Sequence, residues 1–179
     1  RVHVLELGDR PMARALSHIT SQRFREAHEG WGVTFDFEQG LQRIEGEDGQ
    51  VRRVITADGR AIDADLVVYG IGVIPNTALA EAAGLTIENG IRVDAEQTED
   101  PFISAVGDAV NFPCVQLDSA PTRLESVQNA ADQARCLAAR LTGTSAPYVA
   151  TPWFWSDQGD LKLQIVGMSN GYNNTVELE

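Results

Sequence analysis

The 179 residues are enough for one ordinary domain or two small ones, and an apolar content of 43% with mixed charges is that of a folded chain. A net charge of −12 argues against nucleic acid and anionic membranes as main partners, and no apolar run approaches the length of a membrane span. Cys114 and Cys136 stand 22 positions apart, with no C-x-x-C pair, no histidines at metal spacing and no signal-peptide pattern, which predicts two free thiols in a reducing cytoplasm.

Residues 2–7, VHVLEL, read as a buried strand ending near Glu6. Residues 11–29 carry Met12, Leu16, Ile19, Phe24 and Ala27 in rough helical register, and Gly30, Trp31 and Gly32 stop that helix. Residues 33–37 alternate as a second strand, so the three elements predict one parallel crossover unit. Nucleotide-binding folds hold a ribose diol with an acidic residue at the end of such a strand. Glu6 has that position, although a strand-terminal glutamate is also ordinary without a ligand.

Residues 41–64 hold β-like runs broken by Asp48-Gly49 and Asp58-Gly59, predicting a small antiparallel meander with Val51, Val54 and Ile55 partly buried. Residues 65–72, DLVVYGIG, read as a continuous apolar strand entering a glycine-rich bend. Glycines there let backbone approach a flat ligand, and plain turn geometry explains them equally well. Thr77 is expected to cap a short helix through Ala83, closed by Gly84, and residues 87–93 supply two strand pieces around Asn89-Gly90. Residues 98–101 are expected to be a connection where the chain crosses between domains.

Residues 103–141 organise the rest. ISAVGDAV is expected to be a short strand with Gly107 and Asp108 at its C-terminal tip, followed by a loop carrying Pro113, Pro121 and Arg123. RLESVQNAADQARCLAARL then makes the best helix of the chain, with Val127, Ala130, Ala131, Ala134, Leu137, Ala138 and Leu141 on one stripe. Ser126 is placed to cap it and Gly143 to stop it. A strand-tip carboxylate beside a helix N-terminus can bind a polyol with the first and an electron-rich carbonyl with the second. A strand and a packing helix without any ligand fit the same spacing. Beyond a linker at residues 142–152, Trp153 and Trp155 flank Phe154 in a pattern usual for a core or an interface, and Leu161, Leu163 and Ile165 share one face of a final strand.

The runs ISAVGDAVNF, RLESVQNAADQA and PWFWSDQ, in that order, resemble the FAD-dependent, NADH-dependent ferredoxin reductases of oxygenase systems, the putidaredoxin reductase type. The resemblance extends from Val2 to about Gly171. It implies an α/β chain that forms part of a flavoprotein with two dinucleotide-binding domains: Rossmann-like NAD and FAD portions, then the start of an α+β C-terminal domain. The implied division is residues 1–98 for the rear of the NAD-binding domain, 99–145 for the returning segment of the FAD-binding domain, and 146–179 for the start of the C-terminal domain.

By the same resemblance, Asp108 with Gly107 binds the flavin ribityl chain, the backbone at Val127 faces the flavin pyrimidine edge, and Trp155 lies near the isoalloxazine ring. Glu6 becomes the carboxylate that selects NAD by repelling the 2′-phosphate of NADP. Arg14, expected within the first helix, is placed to reach the dinucleotide or else is a surface arginine. Gly70, Ile71 and Gly72 lie beside nicotinamide and flavin.

The implied reaction passes a hydride from NADH to FAD, then single electrons to a [2Fe–2S] ferredoxin serving an oxygenase, with no protein nucleophile or acid–base dyad. No G-x-G-x-x-G follows a strand here, so the phosphate-binding loops are expected upstream. The chain is then expected to be the C-terminal portion of a longer reductase, holding FAD weakly or not at all by itself. The alternatives are an NADH oxidase or disulfide reductase of the same architecture, the apoptosis-inducing-factor branch, and a non-catalytic structural fragment. The oligomeric state leaves no mark in the sequence.

Overall fold

The computed structural model describes residues 1–169 and 171–178. Its contacts form two compact units: Arg1–Ile71 with the described residues of Ser169–Glu179, and Gly72–Met168.

In the first unit, β1 (Val2–Leu5) and β2 (Val33–Asp36) pair in parallel, Val2 opposite Val33, with α1 (His18–Gly30) crossing between them. The crossover unit expected from the sequence is therefore present. The helix, however, begins at residue 18, not 11. Met12 has a φ of 54°, a left-handed conformation that cannot propagate a right-handed helix, and residues 11–16 form turns instead. Ser17 then caps α1, its Oγ accepting from the Thr20 N–H at 3.3 Å, while Ser21 Oγ donates to the Pro11 carbonyl at 2.8 Å and ties turn to helix. Arg14 consequently lies exposed in the turn and not within the helix. Leu16 and Phe24 are buried as their register predicts, but Ile19 is exposed. β1 is not a buried strand either, because among the described residues its sheet has two strands and leaves Val2 open.

Next come β3 (Leu41–Glu47), β4 (Gln50–Thr56) and β5 (Ala61–Asp63), an antiparallel meander in which Val54 and Ile55 are buried and Val51 partly so. Asp48 and Gly49 have φ of 51° and 76°, the double positive φ that a two-residue hairpin turn demands. The apolar run 65–72 departs from expectation: it forms no strand, and Leu66, Val68, Tyr69 and Ile71 are 77–87% exposed. An apolar strand of this kind needs a partner along its edges and cover on both faces. No described strand pairs with it.

The second unit opens with α2 (Ala78–Ala82), which Thr77 precedes without a side-chain cap and Gly84 follows in a left-handed conformation. β6 (Ile91–Arg92) comes next. β7 (Thr98–Asp100) and β8 (Ile103–Ser104) form a small hairpin where a plain connection was expected. β8 stops at Ser104, the chain turns through residues 107–109, and β9 (Val110–Cys114) begins. Asp108 thus sits in a turn between two strands, not at the tip of one.

β10 (Ala120–Thr122) pairs with β9, Pro113 opposite Pro121, so two residues expected in a loop stand in a short ladder. β9 is the centre of the sheet, with β6 parallel on its other side. Val93, Val110, Phe112, Cys114 and Tyr148 form the core, and Phe112 meets Tyr148 edge-on with ring centres 5.3 Å apart. α3 (Val127–Leu141) is next along the chain, then an antiparallel hairpin of β11 (Trp153–Gln158) and β12 (Leu161–Val166).

Candidate functional site

Ser126 caps α3, its Oγ accepting from the Asn129 N–H at 3.1 Å. The amides of Val127 and Gln128 then start the helix without intrahelical partners, and Val127 is 70% exposed. The expected apolar stripe faces inward only in part: Ala130, Ala131 and Leu137 are partly buried, Val127, Ala134, Ala138 and Leu141 point outward, and the fully buried positions are Gln128, Asn129 and Gln133. The reason is visible in their partners. Gln133 Oε1 accepts from the Gly107 N–H at 2.7 Å, and Gln133 Nε2 donates to Asn129 Oδ1 at 3.1 Å. Asn129 Nδ2 donates to the Leu124 carbonyl at 3.0 Å, and the Tyr148 hydroxyl donates to Asn129 Oδ1 at 3.2 Å. Buried amides are stable when their donors and acceptors are used in this way.

This chain of hydrogen bonds fastens the Gly107–Asp108 turn to the first two turns of α3. Gly107 has a φ of 86°, and a Cβ there would lie 3.7 Å from that of Ala130, so turn and helix are in contact distance. Asp108 itself is exposed. The strand-tip carboxylate and the helix start expected to cooperate are therefore neighbours, both open to solvent.

β11 is anchored to the same helix start. The Trp153 N–H donates to Gln128 Oε1 at 3.2 Å. Strand alternation turns Phe154 inward and puts Trp153 and Trp155 on the open face, 43% and 46% exposed, with ring centres 5.3 Å apart. A core role for Trp153 is thus overturned. A hollow of about 300 Å³ lies on this face, lined by Trp153, Trp155, Asp157, Lys162, Leu163 and Gln164. A second, of about 360 Å³, lies among β6, β9 and β10, with Arg92, Asp94, Glu99, Asn111 and Phe112 in its wall. Asp108 and Val127 line neither of these two hollows, and both residues are exposed.

Glu6, the expected ribose carboxylate, directly follows β1 and is half-buried, with Oε1 accepting from the Gly8 N–H at 2.7 Å and the other carboxylate oxygen left as an acceptor. Arg14 is exposed in the turn before α1. Gly70, Ile71 and Gly72 are exposed, and among the described residues a Cβ on Gly70 or Gly72 would meet nothing within 4 Å. Cys114 and Cys136 are free thiols, and burial pushes that of Cys136 up, away from the thiolate a nucleophile needs. Among the described residues no cluster of histidine, cysteine, aspartate and glutamate suits a metal ion, and no helix is long and apolar enough to cross a membrane.

Sequence reasoning missed Gln133 and Asn129, which fasten the turn to the helix. The available signal is an asparagine and a glutamine four apart in an alanine-rich helix, a pattern that by itself reads as a solvent face.

Comparison with known proteins gives the same picture over nearly the whole chain. Residues 1–134 match the family model for pyridine nucleotide-disulphide oxidoreductases, and residues 153–177 match a reductase C-terminal family. Rhodocoxin reductase of Rhodococcus erythropolis is 49% identical over 98% of this chain and 41% of its own length. The crystal structure of a ferredoxin reductase from Rhodopseudomonas palustris superposes with a TM-score of 0.93 at 48% identity, covering 97% of this chain and 43% of that one. The covalent putidaredoxin reductase–putidaredoxin complex gives a TM-score of 0.90 at 40% identity, covering 97% of this chain and 42% of that one. The chain thus spans about two fifths of the length of these relatives. With the fold, the three linked motifs and a family match running from the first strand into the third helix, the chain belongs to the pyridine nucleotide-disulphide oxidoreductases.

Proposed function

We propose that this chain is the C-terminal part of a cytoplasmic, FAD-dependent reductase that takes electrons from NADH and delivers them to a [2Fe–2S] ferredoxin serving an oxygenase. The observation that carries this reading is the fastening of the exposed Asp108 turn to the capped N-terminus of α3. Relatives named rhodocoxin reductase and putidaredoxin reductase, the latter in a complex with putidaredoxin, support the choice of acceptor. In this reading residues 1–98 belong to the NAD-binding domain, 99–145 to the FAD-binding domain and 146–179 to the C-terminal domain. The separate family match of residues 153–177 supports the last division. The boundary near Thr98 rests on the resemblance, since residues 72–98 group with the segment C-terminal to them.

The residues present fit the two cofactors. Asp108 offers an exposed carboxylate to hydroxyl groups, and Gly107 supplies the turn that carries it. The start of α3 at Val127 offers amides and the positive end of a helix dipole to an electron-rich carbonyl. Trp155 offers an exposed indole face, and Glu6 a carboxylate oxygen for a ribose diol, which sets NAD over NADP. Arg14, Gly70, Ile71 and Gly72 are assigned to the dinucleotide side by the resemblance, and their exposure leaves them accessible. When bound, flavin and nicotinamide supply the hydride and single-electron chemistry, and the protein supplies orientation and electrostatics.

The test is Asp108→Ala in the full-length protein. A hydrogen bond to a charged group contributes about 1.5–3 kcal/mol, so FAD affinity should fall about tenfold to a hundredfold, read by flavin fluorescence on reconstitution of the apoprotein. Undiminished, stoichiometric flavin in that variant would overturn the reading.

A further inference from the structure

We infer that Arg123 is a positioning residue for this site, holding the Asp108 turn in register with the start of α3 so that carboxylate and helix amides address one ligand. The inference rests on the flavin reading above. Its own footing is a set of contacts that nothing in that reading requires.

The Arg123 side chain is only 10% exposed and its guanidinium has three partners. Nη1 donates to the Asp108 carbonyl at 3.0 Å and pairs with Glu125 Oε1 at 2.6 Å, and Nε donates to Asn89 Oδ1 at 3.3 Å. Glu125 directly precedes Ser126, the cap of α3, so one planar group joins the turn, the helix approach and the Asn89–Gly90 bend. The bend is shaped to admit it. Gly90 has a φ of 124°, and a Cβ there would stand 2.6 Å from the Ala109 carbonyl oxygen and 3.0 Å from Arg123 Cδ. A side chain there would collide with the Ala109 backbone and crowd the arginine.

The turn is therefore gripped at both ends. From α3, Gln133 takes the Gly107 N–H; from the other side, Arg123 takes the Asp108 C=O. Glu125 neutralises the guanidinium, so Arg123 does not capture the Asp108 carboxylate, and among the described residues no hydrogen bond engages that carboxylate. A rigid fork suits this task, whereas a lysine ammonium is a single point charge that cannot span all three partners.

The experiment uses the full-length protein with Arg123→Lys, Asp108→Ala and, as a surface control, Arg92→Gln. FAD affinity of each apoprotein is measured together with its thermal midpoint and the hydrogen exchange of the amides at residues 107–110. Arg123→Lys keeps the charge opposite Glu125, so the midpoint should match wild type while FAD affinity falls about tenfold and exchange rises at residues 107–110 alone. Wild-type FAD affinity in Arg123→Lys overturns the inference. So does a loss accompanied by a lowered midpoint and faster exchange throughout the chain, which marks a merely structural arginine. Asp108→Ala separates the two claims: weakened binding there beside unchanged Arg123→Lys sinks the positioning role alone. Unchanged binding in Asp108→Ala sinks the flavin reading, and with it the route through which Arg123 acts.

Discussion

Asp58 shows how a single exposed carboxylate is committed to the fold. It accepts a hydrogen bond from the buried Thr56 hydroxyl and another from Arg60 Nε at 2.8 Å, and these partners, Thr56 first, lower its carboxyl to about 2. A carboxyl near 3.9 in the unfolded chain and near 2 in the folded one stabilises the fold fully above the higher value. That contribution shrinks as the pH falls and is gone once it passes below about 2. Asp58→Asn should therefore flatten the fall of the thermal midpoint between about pH 4 and about pH 2, and equal slopes for variant and wild type would disprove the assignment. Asp58 is remote in role from the candidate cofactor groups, whose carboxylates at Glu6 and Asp108 keep an acceptor open for a ligand. The contrast separates residues used by the turn from residues left available by it.

At the scale of elements, α3 is unusual in what it buries. Its inward face is an amide network, and Asn129 alone serves Gln133, Tyr148 and the Leu124 carbonyl. Asn129→Ala should cost about 1–3 kcal/mol in chemical denaturation, because it leaves buried donors and acceptors unpaired. Ser126→Ala should cost about 1 kcal/mol, the ordinary worth of an N-cap. A negligible loss for Asn129→Ala would mean that water replaces its contacts and that the network does not hold the Asp108 turn. The helix was legible in the sequence from its cap, length and stop, and its caps are where they were expected. Its buried face was not legible. A three- and four-residue repeat of alanine marks two adjoining faces almost equally, and the choice between them is made by Gly107, Leu124 and Tyr148, partners outside the helix. The same limit explains β9: Val110–Cys114 contains Pro113 and comes directly after a turn, so local propensity favours a loop until the pairing with β6 and β10 is known.

For the molecule as a whole, the largest departure from expectation is the run 65–72, which was expected to be a strand and forms none. Leu66, Val68, Tyr69 and Ile71 are 77–87% exposed, four large apolar side chains open to water within six positions. The isolated chain should therefore self-associate in a concentration-dependent way, seen by sedimentation velocity, and Leu66→Lys with Val68→Lys should suppress it. A monomer unaffected by these changes would show that the run is covered within the chain. Composition, cap residues, the Asp-Gly turns and the order of three motifs were enough to determine most element types, the parallel crossover and the family, since each depends on neighbours within a few positions or on a pattern read along one line. Only the tertiary structure decided that Asp108 lies in a turn, that α3 buries its amides, that both tryptophans face outward, and that Arg123 and Gln133 grip the same turn. Those outcomes depend on which distant donor meets which acceptor, and spacing along a chain carries no record of that.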